Sequence, residues 1–466
     1  MINESTIKRR PDKADGWDCW GVLAFVFGLV FVQGIIYVTK VGNLYVDIVY
    51  PLAVFVLCIN LVLRPTSTIR SIELCFHRGM LPFLVVVVLS VFLAMGSTLT
   101  HIGVDITSCV NGFVVLLFSL AIYFAVISLR DRVHQFISAI FVGLLVNIAI
   151  SIAQYVAFQS GTAFTLYDLF PQPAFYISVP WGSGGAWAQN IQYLVYSYRA
   201  QGLWLEVSYF VGAATVVFIL AMGCLRLSGT FKAAVFVTLL FLFAMSNTGN
   251  LVLYVAFVFV AYLLLRLGRG RTLGFASKRR SSAEWLAVLC VLAVLVGIFV
   301  YALSNTDDLL RTLDLENLLK GLAGGLESSN ITSADNQQRF QYMQNALSEF
   351  FRYPWGGGYN MAPSLTFYDY GTNTTFSYAL TLLVELGPIG LVAYGYFVFS
   401  MVVRLFGDSL SCSLSGVSIA VALVAYLAFQ IGNGVGLTPL AWCLFALGSI
   451  EIANRKGDSN EHHIEC

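Results

Sequence analysis

Apolar runs of about 20 residues recur along almost the whole chain, broken by short polar joints. As a helix, a run of that length crosses the roughly 30 Å hydrocarbon layer of a bilayer. The pattern predicts about twelve spanning helices. They lie near 17–38, 44–63, 79–97, 107–129, 134–158 and 204–225, then near 230–246, 249–265, 284–303, 376–403, 414–432 and 435–453. The fold class this implies is an all-α polytopic membrane protein.

Two longer polar stretches divide the series. A tail at 1–16 precedes helices one to five, within 17–158. An aromatic-rich loop at 159–203 leads to helices six to nine, within 204–303. A long loop at 304–372 comes before the last three helices, within 373–453, and a tail occupies 454–466. The first loop carries Tyr167, Phe170, Tyr176, Trp181 and Trp187, with prolines and glycines that argue against one long helix. Its rings suit either anchoring at the headgroup level or stacking against sugars. In the second loop, Leu309, Leu310, Leu313, Leu318, Leu319 and Leu322 predict an amphipathic surface helix. Another helix is predicted to begin near Ser333 or Asp335 and to end at Arg352, before Pro354 and the glycines 356, 357 and 358.

Charge adds orientation. The chain is 58% hydrophobic and 11% charged, with a net charge of +1. Lys8, Arg9, Arg10 and Lys13 put the N-terminus on the cytoplasmic side. Alternation from there leaves about 20 of the 26 basic residues inside, and an even number of spans keeps both termini cytoplasmic. The first span reads as an anchor without a cleavage site. The nine cysteines are scattered singly and avoid both long loops, which disfavours a disulfide framework. Nothing in the charge pattern points to nucleic acid. No Cys/His spacing, Asp-x-Asp cluster, P-loop or dinucleotide fingerprint calls for a metal or cofactor.

With this topology the outward basic residues are Lys40, Arg199, Arg311, Lys320, Arg339 and Arg352. Arginine suits bidentate recognition of phosphate oxygens, so an outward arginine set suggests an anionic headgroup or a lipid-linked diphosphate. Arg199 and Glu206 are seven positions apart where the first loop turns into a span. If that stretch is helical, the two share a face. Glu206 then either takes a proton from a sugar hydroxyl or orients Arg199. Glu385 reads as structural, and Asp47 as a weaker candidate. Ser246 opens a tight turn, Ser246-Asn247-Thr248-Gly249-Asn250, between two spans. No internal repeat or matched pair of broken helices favours a transporter.

With Arg199, Gly202, Glu206, Ser208 and Tyr209 in view, the chain resembles the O-antigen polymerase and ligase superfamily, polytopic bacterial enzymes that use polyprenyl-diphosphate carriers. The family pattern Arg-x-x-Gly-Leu-x-x-Glu-Pro-Ser is met except that Val207 replaces the proline. Ser246 to Gly249 match a serine-rich turn. Arg339, Pro354, Gly356, Gly358, Glu385, Gly387 and Gly390 match an arginine, a helix end, Gly-x-Gly and Glu-x-Gly-x-x-Gly. The ligases carry a histidine before that last motif, where this chain reads Asn373 to Tyr378 without one. The resemblance therefore implies a polymerase, with ligase as the alternative and a lipid-linked oligosaccharide flippase as the rival class.

The resemblance implies glycosyl transfer at the outer leaflet of the bacterial inner membrane. A glycan on polyprenyl (undecaprenyl) diphosphate is the donor, and a carrier-linked repeat unit is the acceptor. Arg199 and Arg339, with Arg352, are expected to hold the diphosphate, and Glu206 to activate the acceptor or fix Arg199. Tyr209, Ser246 and Tyr359 are expected to bind substrate. Membrane lipid and a chain-length regulator protein are the other expected partners, and no metal or cofactor is expected.

Overall fold

The structure is a computed structural model that describes residues 18–32, 37–41, 44–100, 106–162, 202–204, 207–246, 250–272, 334–371, 375, 377–406, 413–433 and 436–464. Helices dominate: α1 (Cys19–Leu29), α2 (Val49–Leu63), α3 (Pro65–Cys75), α4 (Leu81–Thr100), α5 (Thr107–Ser128), α6 (Val133–Gln159) and α7 (Val207–Cys224). After them come α8 (Gly229–Met245), α9 (Leu251–Thr272), α10 (Ala334–Arg352), α11 (Ala362–Tyr370), α12 (Tyr378–Phe406), α13 (Leu414–Asn433) and α14 (Pro439–Ile464). The chain is a helical membrane protein, with one departure from a purely helical reading. Tyr37–Val41 (β1) and Leu44–Asp47 (β2) pair as an antiparallel hairpin. The β-branched and aromatic residues there suit a pleated ladder, and they shorten the first two predicted spans.

Six described helices are long and apolar enough to cross a membrane, or seven if the α2–α3 pair, bent by 120°, counts as one. Helices α1 and α8 and the stretch Leu251–Arg266 of α9 are apolar but shorter. The predicted span at 284–303 and the leucine-rich helix at 309–322 lie outside the described residues, as does most of the aromatic loop.

Helix α7 is apolar on every side and almost wholly buried, so it is the centre of the bundle rather than a lipid-facing wall. It packs on α6, α9 and α13. Helix α14 buries Trp442, Cys443, Leu444 and Phe445 against α5, α12 and α13. At one end of the bundle the basic residues tie neighbouring elements together. Arg132 meets Asp18, Arg64 lies 3.9 Å from Asp131, Arg130 donates to Asn454 Oδ1 at 2.8 Å, and Arg455 caps the Leu405 carbonyl at 2.9 Å. These are residues that the charge pattern grouped on one side. At the opposite end a small satellite core (Ala94, Cys109, Ala346, Met361, Ala362, Leu365 and Val384) seats α10 and α11 on α4, α5 and α12.

Candidate functional site

The site is built around a break in α12. Pro388 has no N–H to give the carbonyl of Val384 one turn back, and it disfavours helical backbone at Gly387. Gly387 takes φ 65° and ψ −170°, a region essentially reserved for glycine. The break leaves two carbonyls without helical partners deep in an apolar bundle, where an unpaired backbone group is costly. The glycine-rich segment after α10 supplies the missing donors. Gly357 N–H donates to Val384 O at 2.7 Å, and Gly358 N–H donates to Glu385 O at 2.9 Å. The two motifs that are separate in sequence are therefore two halves of one joint.

The other side of the glycine segment is fixed to α4 and α5. Ser97 Oγ donates to Gly357 O at 2.8 Å, Tyr359 N–H donates to Ser90 Oγ at 3.1 Å, and Asn360 Nδ2 donates to Ser108 O at 2.7 Å. Gly358 sits at φ 110° so close to α4 that a Cβ there would lie 2.5 Å from that of Ala94. Asn360 itself has φ 60°, a conformation that asparagine tolerates better than most residues.

This joint presents a polar cavity of about 280 Å³. Its walls are Ser119 of α5, Tyr359 to Pro363 in part, Thr375, Tyr378, Thr381 and Glu385, and the turn at Gly436 and Leu437. Glu385 is 4% exposed, and the backbone N–H groups of Asn360 and Ala362 are aimed at its carboxylate. Thr375 and Thr381 share a hydroxyl contact of 2.7 Å on the same wall. Tyr378 also lines a second, almost wholly apolar groove of about 290 Å³ between α12 and α13, with Leu391, Tyr394, Val398 and Leu427. A polar chamber and an apolar groove thus meet at one side chain.

The turn between α13 and α14 braces the chamber. Tyr426 Oη is 2.8 Å from both Gly436 O and Thr438 Oγ1, and Gln430 Nε2 donates to Gly436 O at 3.2 Å. Tyr394 Oη in turn donates to Gln430 Oε1 at 2.8 Å.

The sequence candidates are placed unequally. Tyr359 lines the chamber. Tyr209 lies in a small neighbouring cavity with Trp204, Tyr426 and Thr438, across the braced turn. Ser246 is buried and donates to Leu242 O of its own helix at 2.7 Å, away from the chamber. Arg199 and Glu206 lie outside the described residues. Between them Gly202 has φ 57° and is held on α6 by Gln154 Oε1 at 3.1 Å, while Leu203 N–H donates to Asn147 Oδ1 at 2.8 Å. Residues 202–204 form a turn and not a helix.

Arg339 lies on α10 thirteen residues before Arg352, which helical rise converts to about 20 Å along the axis. Arg352 donates to Asp369 Oδ2 at 2.7 Å and lies 3.8 Å from Glu349. The Glu349 side chain is fully buried, and neither of its oxygens accepts a hydrogen bond among the described residues. Burial, then the neighbouring Asp369, push its carboxyl up to about 8, and Arg352 opposes this. A protonated Glu349 becomes a donor towards Asp369, which removes the conflict between two facing carboxylates.

This arrangement has a pH consequence. Because the folded pKa lies above the unfolded one, the packing of α10 on α11 is strongest below the ordinary carboxylate range. It weakens as pH rises through about 8. Glu349→Gln should therefore raise the melting temperature at pH 8 and leave it unchanged at pH 5, with a gain on the order of 1 kcal/mol at the higher pH. An equal effect at both pH values would show that Glu349 stays ionised in the fold.

Asn360, Thr375, Tyr378 and Thr381 were not legible as site residues, and Glu385 read as structural. Their only sequence signal was closeness to the glycine motifs.

No curated protein matches the chain. Residues 233–395, which hold the glycine segment, the α12 break and Glu385, match the family model described as O-antigen ligase, a match over about a third of the chain that supports a relationship to the O-antigen ligase/polymerase superfamily.

Proposed function

We propose that this protein is a polysaccharide polymerase that transfers a growing glycan from polyprenyl diphosphate onto a carrier-linked repeat unit, in a bacterial inner membrane. The observation that carries the reading is the meeting of polar chamber and apolar groove at Tyr378, a shape matched to an amphiphile with a sugar head and a long apolar tail. The family match supports a reaction on lipid-linked oligosaccharide.

In this reading the bond between the donor sugar's anomeric carbon and the diphosphate oxygen breaks as the acceptor hydroxyl oxygen bonds to that carbon. The hydroxyl proton passes to a base, and the diphosphate leaves with the electron pair, so no nucleotide is consumed. Arg199 and Arg339 hold the leaving diphosphate. Glu206 takes the proton or orients Arg199. Tyr209 and Tyr359 contact the glycan from either side of the braced turn. Ser246 and Arg352 belong to the outer parts of the substrate path, Arg352 through its pair with Asp369. A chain-length regulator is the expected protein partner.

The test is reconstitution in liposomes with carrier-linked repeat units supplied on the outer face. Polymer should form without nucleotide or metal. Arg199→Ala and Arg339→Ala should leave mostly single repeats at normal expression, with rate losses on the order of 10²-fold or more. Full-length polymer from both variants would sink the assignment. The family model's description is equally compatible with a second reading, O-antigen ligase. Product that appears only when lipid A-core is supplied would establish it, whereas translocation without a new glycosidic bond would indicate a flippase.

A further inference from the structure

A larger cavity, about 580 Å³, lies between α7, α8 and α9, away from the proposed catalytic chamber. That volume falls within the range of about 300–1,000 Å³ typical of sites for small ligands. Its wall is sharply divided. Phe218, Phe236, Val255, Val258 and Phe259 make an apolar body, and Lys232 and Arg266 stand at one end, with no acidic residue among the described residues of the lining.

The division follows from chain direction. Helices α8 and α9 are neighbours joined through residues 246–250, a connection short enough to make them antiparallel, so the first turn of α8 faces the far part of α9. Lys232 and Arg266 are thereby brought to the same end. Lys232 donates to the Met222 carbonyl at 2.9 Å, which pins the ammonium at the mouth. Arg266 is exposed there. Helix α8 packs on α6 through Phe231 against Phe141 and Phe241 against Tyr155, and its Lys232, Ala233 and Phe236 form one wall of the gap.

We propose that this gap binds a membrane lipid with an anionic phosphate headgroup, its acyl chains along Phe218, Phe236, Val255 and Phe259 and its phosphate between Lys232 and Arg266. Charge complementarity selects this occupant. A neutral amphiphile has no use for two cations at the mouth, and a free phosphate has no use for the apolar body. The same basic end is the one that the charge pattern turns towards the cytoplasm, where the leaflet surface is negative.

The experiment uses the full chain in neutral detergent, with dioleoyl phosphatidylglycerol, dioleoyl phosphatidylcholine or inorganic phosphate added. It reads the melting temperature and, by native mass spectrometry, the lipid retained. Phosphatidylglycerol should be retained and raise the melting temperature, phosphatidylcholine should do so far less, and phosphate should do nothing. Lys232→Gln and Arg266→Gln should each weaken retention about tenfold. Val255→Trp, which fills the apolar body and leaves both charges, should remove retention of either lipid. Equal retention of the two lipids, retention unchanged by either charge variant, or retention that survives Val255→Trp would overturn the proposal. A shift with phosphate alone would replace the lipid by a free anion and overturn it as well.

Discussion

Gly387→Ala is expected to cost about 2–5 kcal/mol of stability and to abolish activity. Two effects combine. Alanine disfavours φ 65° with ψ −170°, and its Cβ would lie 2.8 Å from the Trp355 carbonyl, which belongs to the backbone and cannot rotate away. Relief requires either a straighter α12 or a displaced glycine segment. Pro388 blocks the first, because a straight helix would drive its ring into the preceding turn. The second takes Gly357 and Gly358 away from the Val384 and Glu385 carbonyls and opens the chamber. Gly96→Ala is the control: it sits in α4 with open space around it, and there alanine should be neutral or stabilising by about 0.5–1 kcal/mol. Thermal unfolding in detergent measures both. A Gly387→Ala protein that melts with the wild type would mean that the break in α12 is not held by this contact.

In the proposed reaction, Glu385→Ala is expected to lower polymer formation by on the order of 10²-fold. The carboxylate gathers the N–H groups of Asn360 and Ala362 and so fixes the loop that carries Tyr359 and Asn360 on one wall of the chamber. Alanine leaves both donors without that acceptor inside an enclosed site, at about 1–3 kcal/mol each. Glu385 acts here as a positioning residue. Glu385→Gln keeps an acceptor oxygen in the same place and should restore most of the rate, with an unchanged KM. Chain-length distribution and single-turnover rate distinguish the outcomes. If glutamine is as inactive as alanine while both proteins melt normally, the carboxylate itself takes part in the chemistry and the positioning role is wrong.

The sequence foresaw the helix at 334–352 well, because polar and apolar residues alternate there with helical period and Arg352 is followed closely by proline and glycine. It foresaw the central spans from their apolar runs of about 20 residues. It did not foresee the hairpin at 37–47, since an apolar run too short for a helix looks like part of the span that follows it. The bend between α2 and α3 was hidden similarly: Pro65 is compatible with the first turn of a new helix, and nothing local specifies the angle.

The sequence by itself determined a helical membrane protein, the grouping of basic residues at one end, and the superfamily motifs, because these follow from composition and period along a single chain. Only the tertiary structure decided what the motifs do. The Gly-x-Gly amides cap carbonyls that Gly387 and Pro388 release thirty residues later. That pairing is a matter of which backbone groups lose their local partners and which distant ones arrive to replace them. Glu385 changed from a structural residue of one helix to the anchor of a chamber wall for the same reason: its partners, Asn360 and Ala362, lie on another segment. Hydropathy reports how much of a helix is buried, and three-dimensional packing reports against what.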